Sequence, residues 1–477
     1  MAVSPPFPLQ KRGRHDRIGV VNRKEGRNKM DGQLKIGTEL TSECGNHYKV
    51  IQRLGAGGQG EVYEVSCDGK SYALKWYFKG SATDQQKKVL DKLIAKGSPT
   101  KSEVDANGEK KDVFLWPMDL IYHKRGEPFG YIMELREPRY KGIVDLMKCR
   151  TNPSFHALCM ACFNLTKGYQ KLHEEGYQYR DISFGNAFFD PVTGDVKICD
   201  NDNVTPNGVV EGGVKGTPRF MAPEIVRGQA QPSRNTDRFS LAVLLFYMLM
   251  ISHPLEGAEE AKIKCMDLPA MRKIYGDNPI FIWDPKNKKN RPVKGYHDNA
   301  IVYWDIYPQY IKDLFIESFT TGLSQPAKRV TENQWLEALA KLASGIIVCQ
   351  SCGAKNFYDE EKGKGGHLCW NPKCRDVITV GSQLVIGEGK KQIRIPIAEG
   401  TKLYSHHIRG DYDMQTAVGE IIVNPKDATK WGVRNMTEEN WTYHREDGTQ
   451  LIVPKGKAAT IAKNVCLDFG MTTGRFE

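Results

Sequence analysis

Asp181 and Asn186 stand five residues apart in the run Tyr179-Arg180-Asp181-Ile182-Ser183-Phe184-Gly185-Asn186, and Asp200 follows fourteen residues after the asparagine. A carboxylate and an amide on one loop, with a second carboxylate ending the apolar alternation Val196-Lys197-Ile198-Cys199, suit phosphoryl transfer from a magnesium-bound nucleoside triphosphate. One carboxylate accepts or steers the proton of an acceptor hydroxyl. The amide and the other carboxylate hold metal against the phosphates. An Asp-x4-Asn pair alone carries little information, so the elements that would position it decide the reading.

Upstream, Leu54-Gly55-Ala56-Gly57-Gly58-Gln59-Gly60-Glu61-Val62 is a glycine-rich turn. A dinucleotide-binding turn opens a helix, whereas Glu61-Val62-Tyr63-Glu64-Val65 alternates and is β-branched, so this turn joins two strands. Ser71-Tyr72-Ala73-Leu74-Lys75-Trp76-Tyr77 reads as a further strand with one lysine in an apolar run. Alone, Lys75 would read as an edge charge reaching for water. Beside the glycine turn it reads as the cation that anchors the phosphates.

Downstream lie Gly216-Thr217-Pro218-Arg219-Phe220-Met221-Ala222-Pro223-Glu224 and Asp237-Arg238-Phe239-Ser240-Leu241. With these motifs in order, the stretch from about Tyr48 to Leu342 resembles the eukaryotic-like Ser/Thr protein kinase family. The resemblance implies a strand-rich small lobe, a helical large lobe, and ATP with Mg2+ in the cleft between them. It implies that Gly55, Ala56, Gly57 and Gly60 close over the phosphates, since glycine lets backbone amides approach. Val62 and Ala73 would sandwich the adenine. Met133 would be the gatekeeper, with Glu134 and Leu135 offering backbone hydrogen bonds to the base. Lys75 would anchor the phosphates, Asp181 would be the catalytic base, and Asn186 and Asp200 the magnesium ligands. Arg180 would receive a group from the activation segment, and Glu224 would pair with Arg329.

The departures from the family pattern carry as much information. Tyr179 replaces the usual histidine, and Ser183 stands where a lysine would contact the transferring phosphate. Asp200 is followed by Asn201-Asp202 where the family has Phe-Gly. Aligning Val89, Leu90 and Leu93 puts Gln86 where a helix glutamate should meet Lys75, with Asp84 and Asp91 as off-register rivals. An amide there would hold Lys75 by a weaker, uncharged hydrogen bond. Two functions therefore stand: an active kinase, and an ATP-binding pseudokinase that acts as a scaffold. Retention of Lys75, Asp181, Asn186 and Asp200 favours the first.

Asp200-Asn201-Asp202, the run Asp237 to Leu245 and His253-Pro254-Leu255-Glu256-Gly257 also resemble a bacterial kinase branch. Its members are often encoded beside a von Willebrand A protein and a metal-dependent phosphatase in tellurite and stress-resistance clusters. That resemblance implies such partners besides a protein substrate.

With 477 residues, 40% hydrophobic and 26% charged, the chain has room for two to four globular domains. The net charge is +11, and between Lys11 and Lys29 eight basic residues face two acidic ones. Following Ser4-Pro5-Pro6-Phe7-Pro8, this stretch reads as a disordered, solvated tail over residues 1–46, in preference to a nucleic-acid or lipid-binding arm. Met30 is an alternative native start. No apolar core of signal-peptide type follows the first charges. Leu241 to Ile251, the longest apolar run, is too short to span a bilayer, so a soluble, cytoplasmic protein without a membrane segment is expected.

Tyr303, Trp304, Tyr307 and Tyr310, in a long insert between Gly257 and Gly322, read as packing of that insert on the large lobe, with a docking surface as the rival. Cys349-Gln350-Ser351-Cys352 and Cys369-Trp370-Asn371-Pro372-Lys373-Cys374 form two hooks. Four thiolates so spaced suit one tetrahedral Zn2+, with His367 an outside candidate. Cys159 and Cys162, in a helix-period stretch, read as core. The last hundred residues hold short β runs separated by Gly, Asn-Pro and Asp-Gly turns, the pattern of a β-sandwich. Trp431-Gly432-Val433-Arg434-Asn435-Met436 and the turns after it resemble the second half of a forkhead-associated domain. That family binds phosphothreonine, and Arg409 with Ser405-His406-His407 are the residues here that could serve. The expected fold class is α+β: a tail (1–46), a bilobal kinase-like domain (47–344), a small zinc ribbon (345–380) and a C-terminal β-sandwich (381–477).

Overall fold

The computed structural model describes residues 33–102, 112–122, 128–209, 216–359, 367–378, 380, 382–389, 392–463 and 465–477. Six antiparallel strands close the small lobe into a barrel. They are β1 (Glu39–Ser42), β2 (His47–Ala56), β3 (Gly60–Cys67), β4 (Lys70–Tyr77), β5 (Asp119–Tyr122) and β6 (Phe129–Glu134), in the order β1-β2-β3-β4-β6-β5. Strand β1 pairs with both β2 and β5, so no edge is left open. Alternation sends Tyr63 and Val65 to one face with Val50, Leu74 and Ile132. It sends Val62, Ala73 and Met133 to the other.

Residues 33–46 were grouped above with the tail, and here the structure corrects the boundary. Leu34 and Leu40 are buried in the barrel core, and Thr41 faces His47 across the β1–β2 pair. A four-residue strand is too short to print a period of two on the sequence. The basic cluster from Lys11 to Lys29, and Met30, lie outside the described residues.

Helix α1 (Asp84–Lys96) starts at Thr83, whose hydroxyl accepts the Gln86 amide, and turns its buried Leu90 and Leu93 to the protein. The large lobe is built on α2 (Phe155–Glu174) and α3 (Arg234–Met250). Ser154 and Ser233 cap them, accepting the amides of Ala157 and Thr236. From Phe239 to Met250 every side chain of α3 is buried, which is why this run is apolar all round. Between the two helices the chain forms the loop Tyr179–Asn186 and a hairpin, β7 (Ala187–Phe189) against β8 (Val196–Ile198). Helices α4 (Gln309–Phe319) and α5 (Glu332–Ser344) complete the lobe. Arg329 forms a two-pronged ion pair with Glu224, 2.8 Å at each nitrogen. In the insert, Tyr303 and Tyr307 are buried and Trp283 stacks on Trp304 at 5.3 Å, so these aromatics pack the lobe. Cys159 and Cys162 are core residues.

After α5, two short hairpins bring the four hook cysteines together. Beyond them lie a six-stranded and a four-stranded antiparallel sheet. Side chains from both, among them Leu384, Ile395, Leu403, Ile421, Val433 and Trp441, form one apolar cluster. Among the described residues, no helix is long and apolar enough to cross a membrane.

One buried charge group ties α2, α3 and α5. His173 is 3% exposed, with Nδ1 2.8 Å from Glu332 Oε1 and Nε2 3.1 Å from Asp237 Oδ2. Burial works to lower its pKa, but Asp237 and Glu332 outweigh that and raise it above the ordinary value. The raised folded value means that this stabilisation is fully present below the unfolded histidine pKa of about 6.5 and is lost as pH rises through the folded one. His173→Gln is therefore expected to cost about 3 kcal/mol near pH 6, read by denaturant unfolding, because buried Asp237 loses its cation and Glu332 keeps only Arg238. The gap from wild type should shrink as pH climbs through the elevated value; a gap independent of pH contradicts the assignment.

Candidate active site in the cleft

Lys75 leaves the middle of β4 and reaches the segment after β8. Its Nζ lies 3.4 Å from Asp200 Oδ1 and 2.9 Å from each oxygen of Asp202. Gln59, from the glycine turn, accepts from the same ammonium at 3.3 Å. Asp202 is the partner that sequence reasoning missed. Its carboxylate is fully buried and also accepts the hydroxyls of Tyr77 at 2.5 Å and Tyr131 at 3.2 Å. Gln86, aligned above with the helix acid, directs its side-chain hydrogen bonds to groups other than Lys75. Its amide nitrogen donates to Tyr77 Oη at 3.2 Å and to the Asp202 carbonyl at 3.1 Å. Asp84 and Asp91 are exposed on α1. The signal available in the sequence was the acid two positions after Asp200, with tyrosine hydroxyls on the apolar strands β4 and β6.

Burial by itself would lower the Lys75 pKa, but the charges of Asp202 and Asp200 more than compensate, and the lysine is held firmly protonated. Asp200 moves the other way from a simple ion pair. Desolvation in the crevice raises it, Lys75 pulls it down, and repulsion from Asp202 leaves it above the ordinary carboxylate range. An anion so placed gains from a further cation. Its 38% exposed side chain leaves that cation a way in.

The loop carrying Asp181 is strained and well tied. Arg180 and Asp200 both adopt left-handed backbone, with φ of 73° and 56°, conformations that non-glycine residues hold only when their surroundings impose them. Asp181 accepts Thr217 Oγ1 at 2.8 Å on one oxygen and Asn186 Nδ2 at 3.2 Å on the other. With its nitrogen also donating to the Asp181 carbonyl at 2.9 Å, Asn186 has its amide oxygen to offer a cation. Tyr179 is fully buried and donates its hydroxyl to the carbonyl of Cys199, just before Asp200. Arg180 Nε donates to the Asn203 carbonyl at 2.8 Å. Asn201, next to Asp200, is held by polar bonds to the Leu115 and Ile198 carbonyls. Ser183 is 4% exposed.

Above the crevice, the Gly57 amide donates to the Gly60 carbonyl at 2.8 Å and closes the turn. A Cβ on Gly60 would sit 2.2 Å from the Trp76 carbonyl oxygen, so that position tolerates no side chain. At Gly55 and Gly57 a Cβ would meet nothing within 4 Å, and the space is open to a ligand. Val62, Ala73, Met133, Leu135 and Cys199 gather in one apolar cluster beside it, and Ala73 and Met133 are cross-strand partners. Ala56 ends β2, and the Glu134 carboxylate turns to Lys197 at 3.6 Å. An apolar slot, a buried ammonium and three oxygen-bearing side chains fit a magnesium-bound nucleotide.

The second cluster is Cys349, Cys352, Cys369 and Cys374, whose sulfurs all lie within 4.8 Å of one another. The Cys349–Cys374 and Cys352–Cys369 pairs are 3.7 Å apart. Zinc–sulfur bonds of about 2.3 Å at a tetrahedral angle give sulfur separations of about 3.8 Å, whereas a disulfide needs about 2.05 Å. The donor set thus fits Zn2+, and all four cysteines are free thiols. Asn356 and Asn371 donate to Cys369 and Cys352 at 3.7 and 3.6 Å, as outer partners of metal thiolates do. Ser405 bonds Asp411, buried His407 bonds Ser344, and Arg409 pairs with Glu439.

Comparison with known proteins points to protein kinases. Residues 119–338 match the family model described as the protein kinase domain, a segment that begins after the glycine turn and Lys75. The chain is 27% identical over 237 residues to a probable serine/threonine-protein kinase CCRP1 of Zea mays, covering 47% of this chain and 34% of that protein. It is 29% identical over 251 residues to protein kinase C delta type of Mus musculus, covering 50% and 33%. It is also 26% identical over 250 residues to serine/threonine-protein kinase PknD of Chlamydia abortus, covering 46% and 25%. The chain spans about a third of the length of the first two of these relatives. Over residues 119–338 the chain is therefore similar to the protein kinase domain.

Proposed function

We propose that this chain transfers the γ-phosphoryl group of ATP to a serine or threonine hydroxyl of a protein. The observation that carries the reading is the convergence of Lys75, Asp181, Asn186 and Asp200, drawn from β4, the loop after α2 and the end of β8, on one crevice. When bound, magnesium-bound ATP supplies the phosphoryl group and the metal charge that offsets its oxygens. Lys75 holds the phosphates, and the apolar wall of Val62, Ala73 and Met133 receives the base. Asn186 and Asp200 offer oxygens to the metal. Asp181, aimed by Thr217 and Asn186, orients the acceptor hydroxyl and takes its proton. Ser183 brings no positive charge to the transferring phosphate, so the other groups stabilise the developing charge without it.

The remaining modules are assigned as a zinc ribbon over 345–380 and a β-sandwich over 381–477, which recruit partners. Support comes from the sulfur geometry and from the two sheets enclosing one apolar cluster. The bacterial stress-resistance branch, with its von Willebrand A and phosphatase neighbours, rests on motif resemblance.

Incubation with labelled ATP and a generic acceptor protein tests the enzyme. Wild type should transfer label, and Asp181→Asn should lose about a hundredfold or more of that rate while still binding Mg-ATP. Equal or absent labelling in both, with ATP bound, makes the chain a nucleotide-binding scaffold. For the ribbon, elemental analysis should find about one zinc per chain. Cys349→Ser combined with Cys352→Ser should abolish it and lower the melting temperature; an unchanged metal content removes the ribbon.

A further inference from the structure

Helix α1 turns no acid toward the phosphate-anchoring lysine. Its two carboxylates, Asp84 and Asp91, are exposed. The acid that meets Lys75 arrives from the opposite lobe. Both oxygens of Asp202 lie 2.9 Å from Nζ, its side chain is fully buried, and Tyr77 and Tyr131 donate to the same carboxylate. Asp200 offers Lys75 one oxygen at 3.4 Å and remains 38% exposed.

Resting on the kinase reading of the crevice, we propose that Asp202 is the residue that positions Lys75 for the nucleotide, taking over the place of a helix acid and leaving Asp200 to the metal. Two carboxylates compete here for one ammonium. The buried one, approached through both oxygens and supported by two phenol donors, holds the cation more strongly than the exposed one, because charge-assisted bonds gain in a low-dielectric site. Without Asp202, Lys75 would turn to Asp200 and oppose metal binding there. The arrangement also means that α1 supplies no carboxylate to Lys75. From that helix Gln86 reaches the pair by uncharged hydrogen bonds to Tyr77 and to the Asp202 backbone.

The test uses the full chain and reads the dissociation constant of Mg-ATP by titration beside the KM for ATP and kcat in peptide phosphorylation. Asp202→Asn should raise the dissociation constant and KM about tenfold, equivalent to about 1.4 kcal/mol, with a smaller change in kcat and a higher Mg2+ requirement. Asp202→Glu should recover part of the loss, whereas Asp84→Asn and Asp91→Asn should stay within about twofold of wild type. Unaltered affinity in Asp202→Asn overturns the proposal, as does an equal loss in either helix variant. Should Asp202→Asn fail to fold, Tyr77→Phe removes one donor from the same carboxylate. It should raise the dissociation constant about two- to threefold, and an unchanged value overturns the proposal equally. A wild type that binds Mg-ATP but transfers nothing ends the enzyme reading alone, because the role of Asp202 is still decided by the binding constants.

Discussion

At the N-terminal turn of α3 the carboxylate of Asp237 accepts the backbone amides of Tyr179 at 2.6 Å and Arg180 at 3.0 Å, along with the His173 ring. Unpaired amides at a helix start favour an anion there, so the carboxylate is stable where it is needed. The amides it holds belong to the residues just before Asp181, and Arg180 is kept at a φ of 73° that costs about 1–3 kcal/mol. Without Asp237 that strain would relax and carry Asp181 with it. The rest of α3 is a buried apolar rod, and its depth in the core fixes the carboxylate's position. The loop carrying Asp181 is therefore irregular in backbone but set by the most regular element of the lobe.

A second tie crosses between the lobes. Lys75 belongs to the barrel and Asp202 to the segment after β8, so their pair joins elements that sequence separates by 127 residues. The two aspartates flanking Asn201 divide the work by burial: Asp202 is enclosed with donors on every side, and Asp200 is left open to the cleft. Asn201 makes the division possible. Its side-chain nitrogen bonds the Leu115 and Ile198 carbonyls, fixing the tight turn on which the two carboxylates point to different neighbours.

Motif order made much of this readable. The long apolar run from Leu241 announced a buried helix, and the Glu224–Arg329 pair could be named because each partner sits in a recognisable motif. The cysteine hooks were legible for the same reason, their spacing being a local property. What escaped the sequence were contacts between distant segments lacking a motif. Strand β1 was hidden because four residues print no period and its partners lie in β2 and β5. Gln86 was correctly placed near the lysine by the apolar positions of α1, but periodicity gives the face of a helix and not the end of its side chain. Asp202 looked like a simple departure from pattern, since nothing local tells that Tyr77, Tyr131 and Lys75 point at it.

The modules after α5 are packed on the kinase core. Phe357 of the cysteine unit lies 4.7 Å from Phe155 and 5.0 Å from Tyr307, and Trp370, next to Cys369, lies 6.3 Å from Phe155. Farther along the same helix, His156 stacks on Tyr404 and Phe163 meets Tyr412 from the last unit. Helix α2 therefore takes both modules on its N-terminal half while its other end carries His173 to Asp237. A segment with four sulfurs and few apolar residues cannot order itself by burial alone, so a bound metal would stabilise the surface that Phe357 and Trp370 present to Phe155. At a rise of about 1.5 Å per residue, the Phe155 contacts lie about 27 Å along α2 from His173 and the Phe163 contact about 15 Å. The same helix thus carries the packing of both modules at one end and the tie to Asp237 at the other.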